Sequence, residues 1–223
     1  MNGVKKIFII DDHPVVRQGL KMFIETGSRY MVCGEAAHSD QALKEISRTK
    51  PDLVTVDISL KGQASGLDLL KKIRKRHPGL PALVISVHDE SLYAERALRA
   101  GARGYIMKRE AQAKIVAAID RLLEGKLYLS DASAQGIIAK SLFATDQSQE
   151  NNPASILGHK EFEVFRLIGL GLGTRDIADN LGLSMNTIDS HKRNIKRKLN
   201  IGKTEGLVKY AIQWTLENEK SAQ

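Results

Sequence analysis

The chain has 223 residues, is 42% hydrophobic and 27% charged, and carries a formal net charge of +8. This is ordinary globular composition over enough chain for one large domain or two small ones, and two is the better expectation. There is no apolar run of about 18 residues to span a membrane and no basic-then-apolar leader, so the chain is read as cytoplasmic, without membrane contact. The single cysteine, Cys33, excludes an internal disulfide and is expected as a small buried side chain.

The first apolar run, "IFII" (7–10), delivers two adjacent acids, Asp11 and Asp12, followed by His13 and Pro14. Neighbouring carboxylates repel unless a cation or hydrogen bonds hold them. The plain alternative is a strand end that has reached solvent, with Asp12 or His13 capping the next helix. Further runs follow at "YMVC" (30–33), "LVTV" (53–56), "ALVIS" (82–86) and "GYIM" (104–107), each a buried strand by composition. Stretches with helical spacing lie between them, for example Val16, Leu20, Phe23 and Ile24, and a fifth, "AKIVAAIDRLLEG", ends on Gly125. Five strands alternating with five helices argue for an α/β domain: a doubly wound parallel sheet covered on both faces.

In such a sheet, chemistry belongs at the carboxyl ends of the strands. Strand one ends in Asp11 and Asp12, strand three in Asp57, strand four in Ser86 and strand five in Lys108, so all five polar groups share one rim. Three carboxylates from two strand ends have the oxygen-only character that suits Mg²⁺. Lys108 and Ser86 could hold the oxygens of a phosphoryl group that the metal also neutralises, with Asp57 as the nucleophile forming an acyl phosphate. Taken singly, Asp57 is equally a strand-end cap, Ser86 a hydrogen-bonded hydroxyl and Lys108 a solvated charge. The four histidines at 13, 38, 77 and 88 show no metal-ligand spacing and receive no catalytic role.

From 126 the pattern changes: a short helix is expected at 131–143, then a flexible linker at 144–155. Beyond it the chain reads as all helix, with Thr174 and Ser184 as N-caps and breaks at Gly173 and Gly182. The segment "TRDIADNLGLSMNTIDSHKRNIKRKL" gives a helix, a short turn and a second, basic amphipathic helix, the arrangement that enters a DNA major groove. A solvated face or a partner-binding helix remains an equal reading from charge alone.

The order "IDD", "VDIS", "ISVHD", "YIMK" resembles the receiver domain of two-component response regulators over roughly 5–125. The segment 157–216 resembles a LuxR-type DNA-binding domain, so the whole chain is similar to a NarL/FixJ-type response regulator. The resemblance implies a flavodoxin-like receiver (1–125), a linker (126–156) and a four-helix helix-turn-helix domain (157–223). It further implies phosphorylation of Asp57 by a sensor histidine kinase, with Asp11, Asp12, Asp57 and the Ser59 carbonyl around Mg²⁺. Ser86 and Tyr105 would then change position with Lys108. It makes 185–199 the recognition helix, with Thr187, Asp189, Ser190, Lys192, Arg193, Lys196 and Arg197 toward double-stranded DNA, and 203–217 the surface of a phosphorylation-dependent homodimer.

Several residues depart from that pattern. Leu60 and Lys61 stand where many receivers have Met-Pro, Arg109 follows the lysine in place of proline, and the helical domain opens without the usual Leu-Thr. Asp189, often a basic or other groove-facing residue, could accept from a cytosine amino group or pair with Arg193 one turn later and aim it; the second use is favoured. Lys192, Lys196 and Arg197 read as phosphate contacts. The protein is therefore expected to be a switch rather than a turnover enzyme. The rivals are an aspartyl-nucleophile phosphohydrolase, which lacks its second acid because Ser59 stands there, and a DNA binder whose receiver is never phosphorylated.

Overall fold

The protein was analysed as a computed structural model, which describes residues 3–27, 29–60, 65–143 and 152–218. It divides into two compact units, residues 1–142 and 143–223.

The first unit alternates β1 (Lys5–Ile10), α1 (Pro14–Glu25), β2 (Tyr30–Ala36), α2 (Ser39–Thr49), β3 (Leu53–Val56), α3 (Gly66–Arg76), β4 (Ala82–Ser86), α4 (Glu90–Ala100), β5 (Gly104–Met107) and α5 (Ala111–Leu123). A turn of 3₁₀ helix, Lys108–Glu110, joins the last two, and α6 (Asp131–Phe143) follows. The five strands are parallel in the order β2-β1-β3-β4-β5. Every residue of β3, β4 and β5 is buried, as strands covered by helices on both faces require. Edge strand β2 runs three residues past the expected "YMVC". Its register against β1 shifts between Ile7 and Phe8, where Gly34 faces Phe8; a Cβ there would lie 2.6 Å from the Phe8 ring. Cys33, on this edge, is only half-buried.

Pro14 is the first residue of α1, where its missing N–H costs nothing, which explains the proline so soon after the acids. Its N-cap, His13, makes no side-chain cap; instead the Asp11 carboxylate accepts the His13 N–H at 2.8 Å. Beyond α5, Tyr128 pairs with Gly104 in parallel along the outer edge of β5.

The second unit holds α7 (Pro153–Ile156), α8 (His159–Gly169), α9 (Thr174–Leu181), α10 (Met185–Lys198) and α11 (Thr204–Asn218). Of the linker expected at 144–155, residues 144–151 lie outside the described residues, while from Pro153 the backbone is helical under an Asn152 cap. α9 is capped from Gly173, not Thr174: the Asp176 carboxylate accepts the Gly173 N–H, and Thr174 is the first helical residue. Ser184 caps α10 as expected, accepting from the Thr187 N–H. Gly182, at φ +62°, supplies the left-handed residue that ends α9 and turns the chain into α10. Trp214 packs edge-on to Phe162 and Phe165, with centroids 5.4 and 5.8 Å apart, and Ile177, Ile188, Ile195 and Leu207 are fully buried in the same unit.

Gly169 is where α8 meets α11. A Cβ there would fall 2.1 Å from Thr215 Oγ1 and 2.6 Å from the Ala211 carbonyl. Gly169→Ala is expected to separate the two helices and cost about 1–3 kcal/mol. A lower urea midpoint followed by the fluorescence of Trp214, the only tryptophan, measures it.

Candidate functional site

β1 and β3 end side by side, with β5 two places from β3, and all three strand ends deliver a charged residue to the same point. Asp11 and Asp57 are 1% and 2% exposed. Between them lies the Lys108 ammonium, 2.6 Å from Asp11 Oδ2 and 2.7 Å from Asp57 Oδ2. Asp57 Oδ1 accepts the Ser59 N–H at 2.9 Å. Asp12 faces His13, whose Nδ1 lies 3.0 Å from Asp12 Oδ1 and 3.3 Å from Asp11 Oδ1. His13, given no catalytic role from its spacing, makes this contact because the turn into α1 carries it back to the acids.

Burial pushes the Asp57 carboxyl above the ordinary carboxylate range, opposed by Lys108 and the Ser59 N–H. Burial also works against the Lys108 charge, but Asp57 and Asp11 outweigh it and hold the ammonium above its usual pKa. Lys108 therefore stays protonated, and the rim holds three carboxylates against one ammonium. The donor atoms of Asp11, Asp12, His13 and Asp57 lie within 4.8 Å of one another. This oxygen-rich, net negative pocket fits a hard divalent cation.

Ser86 is fully buried at the end of β4, where its hydroxyl accepts the His88 N–H at 3.2 Å. The Tyr105 ring is buried in β5, and its phenol donates to the His88 carbonyl at 3.0 Å. Burial pushes the Tyr105 pKa up, so the phenol stays a donor. Asp11, Asp12, Asp57, Ser86 and Lys108 thus stand at the carboxyl ends of their strands, and Tyr105, inside β5, reaches the β4–α4 turn through the His88 carbonyl.

Two supporting residues were not anticipated. The Arg17 guanidinium donates to the Asp11 carbonyl at 2.8 Å and to Glu35 at 3.0 Å, tying α1 and β2 to the strand end. Gly66 opens α3 against the backbone after β3; a Cβ there would lie 2.0 Å from the Asp57 carbonyl and 2.5 Å from Ile58 Cα. The glycines of "GQASG" were the only sequence signal for it. Lys61 and residues 62–64 lie outside the described residues.

In the helical unit, α10 buries Ile188 and Ile195 and exposes Asn186, Asp189, Arg193 and Arg197 along one line. Its end is held by Lys198, whose ammonium lies 2.6 Å from the Glu161 carboxylate that also accepts the Gly158 N–H at the start of α8. Lys192 donates to Thr174 Oγ1 at 2.6 Å and Lys196 to Thr204 Oγ1 at 3.3 Å, so each leans toward the start of a flanking helix. Arg197 donates to Asn194, and Thr187 shares its hydroxyl with the Ser184 cap. The expected pairing of Asp189 with Arg193 is not made. Arg193 donates instead to Ser190 Oγ at 3.0 Å, because the shorter i−3 hydroxyl reaches the guanidinium and leaves Asp189 exposed.

Comparison with known proteins agrees with this geometry. Residues 7–120 match the response regulator receiver domain, and residues 155–211 match the bacterial regulatory proteins of the luxR family. The oxygen regulatory protein NreC of Staphylococcus carnosus is 31% identical over 210 residues, 93% of this chain and 97% of that protein. Among solved structures, a LuxR-family two-component response regulator from Aurantimonas sp. SI85-9A1 is 34% identical with a TM-score of 0.57, covering 63% of this chain and 99% of that one. The RcsB response regulator of Salmonella typhimurium is 25% identical with a TM-score of 0.57, covering 94% of this chain and 98% of that one.

Replacing Lys108 leaves Asp11 and Asp57 buried and facing each other without a cation. Lys108→Ala is expected to cost about 3–5 kcal/mol, of which millimolar Mg²⁺ restores part. Urea melts of the variant with and without the metal measure both effects.

Proposed function

This chain belongs to the response regulators that join a receiver to a LuxR-type helix-turn-helix, and is a phosphorylation-regulated DNA-binding transcription regulator; from that premise we propose that Asp57 is its phosphoacceptor and α10 its DNA-reading helix. The observation that carries the first part is the Lys108 ammonium held between Asp11 and Asp57 at the strand ends.

The Asp57 carboxylate attacks the phosphorus of a phosphohistidine on a sensor kinase. The P–O bond forms as the P–N bond breaks, and its electron pair leaves on the imidazole. Asp11, Asp12, Asp57 and the Ser59 carbonyl would hold Mg²⁺, which supplies neutralisation of the phosphoryl oxygens and the acids. Once Asp57 carries the phosphoryl group as an acyl phosphate, Lys108 loses a carboxylate partner at Oδ2 and gains a phosphoryl oxygen within the same reach. The Ser86 hydroxyl, which accepts from His88 and bonds the Tyr105 phenol, would exchange that second partner for a phosphoryl oxygen. Moving Ser86 moves the β4–α4 turn, and with it the His88 carbonyl on which the Tyr105 phenol rests. This is a local charge change biasing a two-state element. Membership in a family of transcription regulators favours a switch over a turnover enzyme. No described helix is long and apolar enough to cross a membrane, and a DNA-binding switch belongs in the cytoplasm.

In the helical unit, Lys192, Lys196 and Arg197 suit backbone phosphates, while Asp189, Ser190 and Arg193 lie where base edges are read. α11 leaves Val208, Ile212 and Leu216 exposed in a row beside Glu205, Lys209 and Glu217, an apolar stripe suited to a second copy of the chain. A symmetric dimer would place two α10 helices on two similar half-sites.

Incubation with a small phosphodonor and Mg²⁺ is expected to add one phosphoryl group by intact mass to the wild type and none to Asp57→Ala. A gain that survives in the variant, or no gain with the metal present, overturns the assignment. For the DNA face, Asp189→Ala is expected to lose about 1–3 kcal/mol of discrimination at one base position, read from binding to a randomised operator library. Lys196→Ala weakens specific and random duplexes alike and lowers the salt slope by about one.

A further inference from the structure

The segment that follows α5 is bound to β5, which carries Tyr105, and to α4, which opens just after Ser86 and His88. The Tyr105 N–H donates to the Tyr128 carbonyl at 3.0 Å, and the Tyr128 N–H donates to the Arg103 carbonyl at 3.1 Å. Tyr128 therefore forms a one-residue extension of the sheet directly beside Tyr105. Gly104 lies between these two bonds, and a Cβ there would stand 3.1 Å from the Tyr128 carbonyl and 3.0 Å from Leu83 and Leu122, so the edge is closely fitted. Two residues later the Ser130 N–H donates to the carboxylate of Glu90 at 2.8 Å. Glu90 is the first residue of α4, two positions after the His88 whose carbonyl accepts the Tyr105 phenol.

Past these two bonds the attachment is weak. α6 lies on α4 through small residues and one larger one, with Ala132, Ser133, Gly136 and the half-buried Ile137 opposite Ser91, Ala94 and Glu95 around a cavity of about 80 Å³. On α6 the residue buried here is a serine, while Ile138 and Leu142 are 55% and 69% exposed. Apart from Ile137, little apolar surface holds the helix down, and two hydrogen-bonded anchors fix where it begins. One anchor, Tyr128, is fixed to the sheet. The other, Glu90, rides on the turn between β4 and α4.

We propose that Glu90 is the positioning residue through which the phosphorylated receiver moves α6: when Ser86 turns to a phosphoryl oxygen, the β4–α4 turn carries Glu90 away from Ser130, and α6 leaves α4 while Tyr128 stays paired. The proposal rests on the reading of Asp57 as phosphoacceptor. α6 is the last described element before the helical unit in the chain, so its release changes the tether from which the DNA-binding unit works.

The test uses the full chain, with hydrogen exchange over residues 126–142, duplex binding and intact mass, each with and without a small phosphodonor and Mg²⁺. In the wild type, exchange at 130–137 is expected to rise about fivefold or more on phosphorylation, with α3 unchanged. In Glu90→Ala, exchange there is already high without the donor, and the phosphorylation-dependent change in DNA affinity shrinks to within about twofold, although mass shows one phosphoryl group per chain. Glu90→Gln keeps an acceptor oxygen for Ser130 and is expected to restore the wild-type response, which a general loss of helix stability would not allow. Full phosphorylation with unchanged exchange at 130–137, or a wild-type response in Glu90→Ala, overturns the proposal and leaves the assignment of Asp57 standing. Failure of the wild type to take up phosphoryl removes that assignment and this proposal with it.

Discussion

One ammonium group holds together the ends of three strands. Asp11 and Asp57 are buried where β1 and β3 leave the sheet, and Lys108, arriving from β5, contacts both within 2.7 Å. Buried carboxylates without such a partner would take up protons or destabilise the strand ends. The strand order brings this about: β1 and β3 are neighbours at the centre, with β5 two places away, near enough for a long lysine to reach back. One positive charge against three acids leaves the pocket short of cation, and that shortage is its chemistry. That is the character that suits a hard divalent cation.

The helical unit solves a different problem, which is to hold one basic helix at a fixed angle with few residues. It does so with a compact aromatic core around Trp214 and with an ion pair that fastens the end of α10 to the start of α8 through Glu161. Glu161 also closes the first turn of α8, so one carboxylate answers for the absent Leu-Thr opening. The cations of α10 are themselves steadied by neighbouring oxygens on Thr174, Ser190, Asn194 and Thr204. Side chains already restrained lose less freedom when they meet a phosphate or a base.

Much of this was legible in the sequence. Strands buried on both faces read as unbroken apolar runs, so β3, β4 and β5 were delimited to the residue, and the polar group after each run marked the rim. β2 was read short because an edge strand tolerates Gly34 and Glu35, which interrupt the apolar signal. Capping at Gly173 was hidden because a hydroxyl residue stood next to it, and a carboxylate three residues on can close the turn without that hydroxyl. The Asp189–Arg193 pairing failed for a similar reason: spacing on a helix permits several partners, and only side-chain geometry chooses among them. Arg17 acts on a backbone carbonyl, which leaves no trace in a pattern of side chains, and Gly66 showed only as a glycine of "GQASG".

The pairing of Tyr128 with the outer edge of β5 also bears on where the receiver ends as a physical object. Composition marks Gly125 as the close of the last amphipathic helix, and a fragment cut there would keep every helix and strand of the sheet proper. It would also bare the Tyr105 amide and the Arg103 carbonyl along an apolar strand with nothing beside it. Open edges of that kind recruit other chains. The self-sufficient piece is the longer one, closed by its own tail, and a shorter fragment would owe any self-association to the cut and not to the regulator.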